Sequence, residues 1–486
     1  MKRHCVRFSI GWLLWSALCG AKDSQAHAQA AFNPPVAIGT RVEMLVDSWL
    51  VDSDRTRGVS LKLHTPVRRE VVLTTDKPWE GKDSAYYTVL QDGPRIRLYY
   101  RGFIPEGGDA SDKQVTCLAE SSDGIVFTRP NLGLYEFQGS KENNIVYIGV
   151  EAHNFAPFLD TNPKAELDER YKAVGGLEGR LFGFTSPDGI RWKKLQPEPV
   201  MTKGAFDSLN VALWDEQTKL YRCYSRHWAG GDYSGVRAVQ SSTSEDFLHW
   251  TDPVPNRHRA SDGSEPPPEH FYTNATAPCP GAPHLYLSFP MRFVPDRRKP
   301  TPIKDAGVSD AVFLSSRDGV NWERTFLEAW VRPGLDERNW THRNNMVASG
   351  IVQTSPGEFS MYISEHYAWP DNRLRRITLR RHGFASMHAG HPSGEFTTRP
   401  LTFAGKNLRL NYATSAAGSV QVEIQDEHGT PVPGCSLAEI DLLFGDELDA
   451  EVTWKSRKDL SGLIGKTVRL RFVMSDADLF ALRFSE

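Results

Sequence analysis

Ser186-Pro187-Asp188-Gly189-Ile190-Arg191-Trp192 decides the fold, because the same pattern returns along the chain. It recurs as SSDGIVF at 121–127, TSEDFLHW at 243–250 and SSRDGVNW at 315–322, with a degenerate copy, LRRHGFA, centred on His382-Gly383-Phe384. The terminal aromatics, Phe127, Trp192, Trp250, Trp322 and Phe384, lie 65, 58, 72 and 62 residues apart. Asp-Gly suits the positive-φ positions of a type I′ hairpin turn, and the preceding Ser can bond the turn backbone. The aromatic that follows can pack between neighbouring sheets. One such hairpin means little, but near-constant spacing marks a radial repeat.

Outward from each hairpin the same strand order is readable. Second strands are RIRLYYRG (95–102), RYKAVGG (170–176), KLYRCYSR (219–226), HLYLSF (284–289) and EFSMYISEHY (358–367). First strands are SAYYTVL (84–90), NFAPFLD (154–160), SLNVALWD (208–215), HFYTNAT (270–276) and NMVASGIV (345–352). Four strands per unit predict an all-β chain with a five-bladed β-propeller over 76–390. No stretch has helical periodicity. From about Gly394 the strands become short and evenly spaced, which predicts a C-terminal β-sandwich over 391–486. Residues 31–75 are expected to add strands that pack on the propeller or close it. The Pro-rich and charged segments 252–268 and 295–307 read as surface loops.

The N-terminus carries Lys2, Arg3 and Arg7, an apolar run from Ile10 to Ala21, and Ala28-Gln29-Ala30. That is the grammar of a signal peptide over 1–30 with cleavage near Ala30, so the expectation is a secreted or periplasmic protein. A span needs roughly 20 apolar residues, and no later stretch offers one, so no membrane association is expected after cleavage. The formal net charge is −3, without basic runs, which argues against nucleic acid as a partner. Cys117, Cys223, Cys279 and Cys435 are scattered without a C-x-x-C pair, so buried free thiols are expected rather than a metal site.

Side chains at the start of each first strand should converge on the propeller axis. Asp83 precedes the first such strand, with Trp79 and Glu80 just upstream; Asp160 ends the second; Asp207 opens the third. Glu269 opens the fourth, followed by His270, Tyr272 and Asn274, and Arg343 opens the fifth, preceded by Glu337. Glycosyl transfer needs one carboxyl group to protonate the leaving oxygen and another as base or nucleophile. Asp160, Asp207, Glu80, Asp83 and Glu269 are therefore the catalytic candidates. Trp79, His270, Tyr272, Asn274, Arg292, Arg343, Glu337, Glu365 and His366 are the substrate-binding ones, with aromatics for sugar faces and Arg or Asn for hydroxyls and carboxylates. Each has a structural alternative: a turn cap, an ion pair or a packed polar group. No cofactor is expected; Ca²⁺ on the axis is conceivable from the Asp and Asn supply, but no ligand spacing supports it.

The S-x-D-G-x-x-W hairpins, PWEG (78–81), NFAPFLDTNP (154–163), RYKA (170–173) and FDSLNVALWD (206–215) resemble the five-bladed propellers of the glycoside hydrolase family 32, 43 and 68 superfamily. The likeness is to the secreted bacterial proteins described as family-32 N-terminal-domain-like. It implies an Asp in the first blade as base or nucleophile, an Asp in the second that stabilises the transition state, and a later Glu as acid. Asp160 matches the second role. The N-D-P-N and E-C patterns are absent, which leaves Glu80 or Asp83 for the first role and Glu269, Glu337 or Glu365 for the third. The expectation is an exported glycoside hydrolase acting on a poly- or oligosaccharide. The alternatives are a non-catalytic carbohydrate-binding or cell-surface propeller, and a polysaccharide lyase, for which His270 with Tyr272 is the hint.

Overall fold

The computed structural model describes residues 34–486 apart from 104–107, 305 and 458. The signal-peptide segment lies outside the described residues. The described residues are all-β, and the helical elements among them are short 3₁₀ turns between strands.

Among the described residues, five antiparallel sheets follow one another. The first comprises Ala85–Asp92, Arg95–Arg101, Val115–Ser121 and Ile145–Ile148. The second comprises Ala156–Leu159, Tyr171–Leu177, Arg180–Ser186 and Lys193–Lys194. The third comprises Val211–Asp215, Leu220–Trp228, Arg237–Ser244 and Val254–Pro255. The fourth is built from Ala277–Cys279, Ala282–Ser288, Leu314–Ser316 and Asn321–Glu323, and Arg257–Arg259 adds to its outer edge in parallel. A short companion sheet of His270–Phe271, Met291–Val294 and Val308–Ala311 continues it. The fifth has Val352–Ser355, Glu358–Glu365 and Arg373–Arg380, and its outer strand, Val67–Thr74, comes from the N-terminal part of the chain.

The repeated hairpin explains how these sheets join. In SPDGIRW the Ser186 hydroxyl accepts from Gly189 N–H, and Asp188 Oδ1 accepts from Ile190 and Arg191 N–H. Ser121 with Asp123 and Ser316 with Asp318 repeat the arrangement. Only the glycine has positive φ (Gly124 +73°, Gly189 +71°, Gly319 +75°), so the turn is not type I′. It is a wider loop whose shape is fixed by side-chain acceptors in place of a second left-handed residue.

The glycine carbonyl then faces the neighbouring sheet. Tyr99 O–H of the first sheet donates to Gly189 of the second, and Tyr224 O–H of the third donates to Gly319 of the fourth. Tyr362 O–H of the fifth donates to Gly124 of the first. The terminal aromatics seal the same seams edge-on: Trp192 on Tyr99, Trp322 on Tyr224, Phe127 on Tyr362. One contact type thus joins first to second, third to fourth and fifth back to first. Backbone bonds from Val89 to Ser349 and from Ser349 to Tyr87 tie the fifth and first sheets at their inner edges.

The degenerate copy has a plain reason. After Arg380 the chain leaves the fifth sheet, and Ala385–Ala389 pairs instead with Val59–Leu63 and Val468–Ser485. No hairpin returns to the fifth sheet there, so no Asp-Gly loop is required. A ten-stranded sheet then combines four N-terminal strands between Val36 and Leu63 with the strands after Phe384, around the long pair Asn407–Asp426 and Val468–Ser485. Its core holds Phe396, Phe403, Trp454, Phe472 and Phe484. Arg317, from the fourth hairpin, links it to the five sheets through Glu43 (3.0 Å) and Asp47 (3.1 Å) and lies 3.8 Å above the Trp49 ring. Cys117, Cys223, Cys279 and Cys435 are free and buried.

Candidate functional site

A cavity of about 480 Å³ is lined by residues 88–91, 156–159, 211–214, 276–278 and 349–351. Each range belongs to, or leads into, the first strand of a different sheet, so all five sheets contribute to the lining of this channel. Residues just before these ranges gather at one end of it. Asp207, Tyr272, Arg343, Tyr86 and His153 come from the starts of first strands. Arg101, Arg226 and Tyr367 come from the ends of second strands, which antiparallel pairing brings to the same end.

These groups are in mutual contact. Arg226 donates through Nη2 to Asp207. The guanidinium groups of Arg226, Arg237 and Arg343 lie 5.2, 5.2 and 5.7 Å from the Tyr272 ring centre. Arg343 Nη1 donates to Tyr367 Oη at 2.8 Å. Arg101 sits 4.8 Å from the Tyr86 ring centre, donates to the Asp83 carbonyl at 2.7 Å and touches His153 at 3.3 Å. Tyr86 O–H donates to the Asp207 carbonyl. The Asp207 side chain is 26 % exposed against 4 % for Arg226, so the carboxylate faces solvent and its cation lies beneath. Trp228 and the exposed Tyr233 pack together at the rim, an aromatic surface of the kind that suits a sugar face.

Backbone strain concentrates here. Tyr86, Ala275, Arg343, Asn345, His366 and Ala368 have φ between +42° and +69° without being glycine. Such residues persist only where the surroundings over-determine them, and they cluster at functional sites.

The electrostatics are lopsided. Burial would raise the Tyr272 phenol, but the cations of Arg343 and Arg226 outweigh it and bring the group below its ordinary 10.0. Tyr86 moves the other way: burial, then the neighbouring Tyr272, pushes it up. Two adjacent phenols are thereby driven apart, as at sites that need one acid and one base. Burial, then Arg101 and Arg343, holds His153 well below 6.5, so it is neutral at pH 7.

The other sequence candidates fall elsewhere. Asp83 is half-buried beside the site, with its carbonyl held by Arg101. His270 stands at the rim, where its Nδ1 accepts from the Arg237 backbone N–H. Asn274 is buried and bonds Leu209 and Thr276 within the strand walls. Asp160 follows the far end of its strand and is paired with Lys172 Nζ and Tyr221 Oη, both at 2.7 Å. Glu80 is buried against Arg129 and Tyr100, and Trp79 donates to Asn144. Glu269 is gripped by Arg324 and Arg292, and Arg292 also clasps Asp310. Glu269 lines a separate cavity of about 670 Å³ together with Arg257 and Glu265. Glu365 is buried among Arg68, Arg373 and Arg375. His366 is held between Asp336 (2.8 Å) and Asp371 (2.9 Å), and so positions Tyr367 beside it. Glu337 is exposed in a 3₁₀ turn.

Of the sequence candidates, the structure therefore gathers Asp207, Tyr272 and Arg343, with Asp83 and His270 at the edge. Reading only first-strand starts missed Arg101, Arg226, Arg237 and Tyr367, and reading those starts for carboxylates passed over Tyr86 and His153. The signal for three of them was present: Arg101, Arg226 and Tyr367 each close a β-rich second strand, and a hairpin returns that end to where its partner began. No group of three or more His, Cys, Asp or Glu placed to hold a metal ion occurs among the described residues. No helix among them is long and apolar enough to cross a membrane.

No protein-family model and no curated protein matches this chain. Among solved structures it is similar to a glycoside hydrolase at 13% identity, over 65% of this chain and 92% of that one, with a TM-score of 0.44. It is also similar to the β-1,2-mannobiose phosphorylase from Listeria innocua, at 12% identity over 66% and 97% of the two chains, TM-score 0.43. A third is an N-acetylgalactosamine deacetylase from F. plautii in complex with blood group B trisaccharide, at 12% identity over 68% and 96%, TM-score 0.41.

Proposed function

We propose that residues 67–380 form a five-bladed β-propeller, followed by a β-sandwich, and that the chain is an exported carbohydrate-active enzyme that cleaves glycosidic bonds of a poly- or oligosaccharide without a cofactor. The observation that carries this reading is the convergence, at one mouth of the channel, of a solvent-facing carboxylate, Asp207, with Tyr272, Arg226 and Arg343. Asp207 is the carboxylate placed to exchange a proton with a bound sugar, and Asp83, whose backbone carbonyl accepts from Arg101, is the second carboxyl candidate. Trp228 and Tyr233 offer a stacking surface beside them.

The test is a panel of neutral and acidic plant and algal polysaccharides, followed by product analysis, with Asp207→Asn and Asp160→Asn in parallel. Asp207→Asn is expected to remain folded, with stability lowered because Arg226, 4 % exposed, loses its anion, and to lose cleavage by about a hundredfold or more. Asp160→Asn is expected to act on folding instead. It leaves Lys172, whose side chain is 4 % exposed, with the more distant Glu169 carboxylate (3.6 Å) as its anion, at about 3 kcal/mol. Binding that survives in wild type and both variants, without any product, would replace an enzyme by a carbohydrate-binding propeller.

A further inference from the structure

The mouth of the channel is strongly cationic for a site meant to hold a neutral sugar. Arg226, Arg237 and Arg343 crowd one phenol ring, and Arg101 stands beside the adjoining one. Among the carboxylates of the described residues, Asp207 is the one that pairs with these cations directly, and it engages one nitrogen of Arg226. Nε and Nη1 of Arg226 and the Nε atoms of Arg101, Arg237 and Arg343 are buried and find no hydrogen-bond partner among the described residues. Buried cationic donors without acceptors are costly, and a ligand carrying acceptor oxygens relieves that cost. Guanidinium forks match carboxylates in particular, because two parallel N–H donors meet two oxygens.

We propose that the sugar bound at this mouth is a uronic acid, and that its glycosidic bond is broken by β-elimination with Tyr272 as the base. This rests on the reading of the mouth as a site of glycosidic cleavage and names its substrate class and chemistry. The arginines neutralise the uronate carboxylate, which makes the hydrogen on the adjacent ring carbon acidic. Tyr272, as phenolate, takes that proton. The C–H electron pair becomes a carbon–carbon double bond, and the bond from the next carbon to the glycosidic oxygen breaks. The departing oxygen recovers the proton from the Tyr272 phenol, so no water, oxidant or reductant is consumed. The electrostatic setting agrees with this role, since Arg343 and Arg226 lower the Tyr272 phenol against its burial while Tyr86 remains protonated.

The experiment incubates the protein with polygalacturonate, alginate, glucuronoxylan and hyaluronan, each beside its carboxyl-reduced counterpart. New reducing ends and ultraviolet-absorbing unsaturated ends are followed together. The expected result is unsaturated product from at least one acidic polymer, none from its reduced form, and a loss of about a hundredfold or more in Tyr272→Phe. Reducing ends without unsaturation mean hydrolysis, which overturns elimination and leaves glycosidic cleavage standing. Cleavage confined to the reduced or neutral polymers overturns the acidic substrate class. No cleavage of any acidic polymer overturns the proposal, while the neutral panel decides the broader reading separately.

Discussion

If Arg343 sets the charge state of Tyr272, replacing it with Met should return the phenol toward ordinary behaviour. The guanidinium lies 5.7 Å from the ring centre. With an effective dielectric of about 20, a unit charge at that distance is worth about 3 kcal/mol, or roughly two pH units in the phenol's titration. The sign is fixed, because a cation favours phenolate and its removal must raise the pKa. Arg343→Lys keeps the charge, so it should retain most of the effect and separate charge from packing. The assay is the absorbance of phenolate formation as pH rises, taken as the difference between each protein and its Tyr272→Phe partner. Burial pushes Tyr86, Tyr87, Tyr99 and Tyr100 upward, so these do not mask an early-titrating phenol. An unmoved titration in Arg343→Met, or no early phenol in wild type, would refute the electrostatic account of this site.

Two further outcomes test the frame that carries the site. Gly124→Ala should destabilise the fold by about 3 kcal/mol in denaturant melts, since it adds left-handed strain (φ +73°) and sets a methyl 2.9 Å from Tyr362 Oη in the seam between the fifth and first sheets. Gly93→Ala, at φ +58° in open space, is the control and should cost about 1 kcal/mol; equal losses would mean that the seam contact contributes nothing. Glu43 governs acid stability at the junction with the ten-stranded sheet. Burial would raise its carboxyl, but His284 and Arg317 bring it from 4.5 to about 2. Its folded pKa is depressed, so it contributes about 3 kcal/mol that is fully present above pH 4.5 and lost as pH falls toward 2. Stability measured from pH 5.5 down to 2.5 should fall steeply in wild type and less so in Glu43→Gln; parallel curves would exclude this carboxylate as the cause.

The repeat was legible because its structure is local. Ser, Asp and Gly within a few residues satisfy one loop, so the pattern survives in the sequence wherever the loop is needed. It decays to His382-Gly383-Phe384 where the chain exits to another sheet. The ion pairs were not legible, because their partners are remote. Glu269 looks like a free acid at a strand start until Arg324, 55 residues on, closes over it. Asp160 looked axial by position, yet it follows the end of its strand where the other candidates precede theirs, and Lys172 neutralises it there.

The missed arginines show what a propeller reading needs beyond first-strand starts. In an antiparallel pair the last residue of the second strand lies beside the first residue of its partner: Ala85 faces Arg101, and Val211 faces Tyr224, two residues before Arg226. Second-strand ends therefore reach the mouth beside first-strand starts, as Arg101 and Arg226 do. The fourth unit marks the boundary of that rule. Its second strand ends at Ser288, and the chain continues through Phe289-Pro290 into Met291–Val294, which pairs with His270–Phe271 outside the main sheet. Arg292 is carried outward by this extension onto Asp310 and Glu269, so this unit supplies Tyr272 to the mouth and no cation. The phenol sits where the ring of arginines is interrupted, with Arg226 and Arg237 reaching it from the third unit and Arg343 from the fifth.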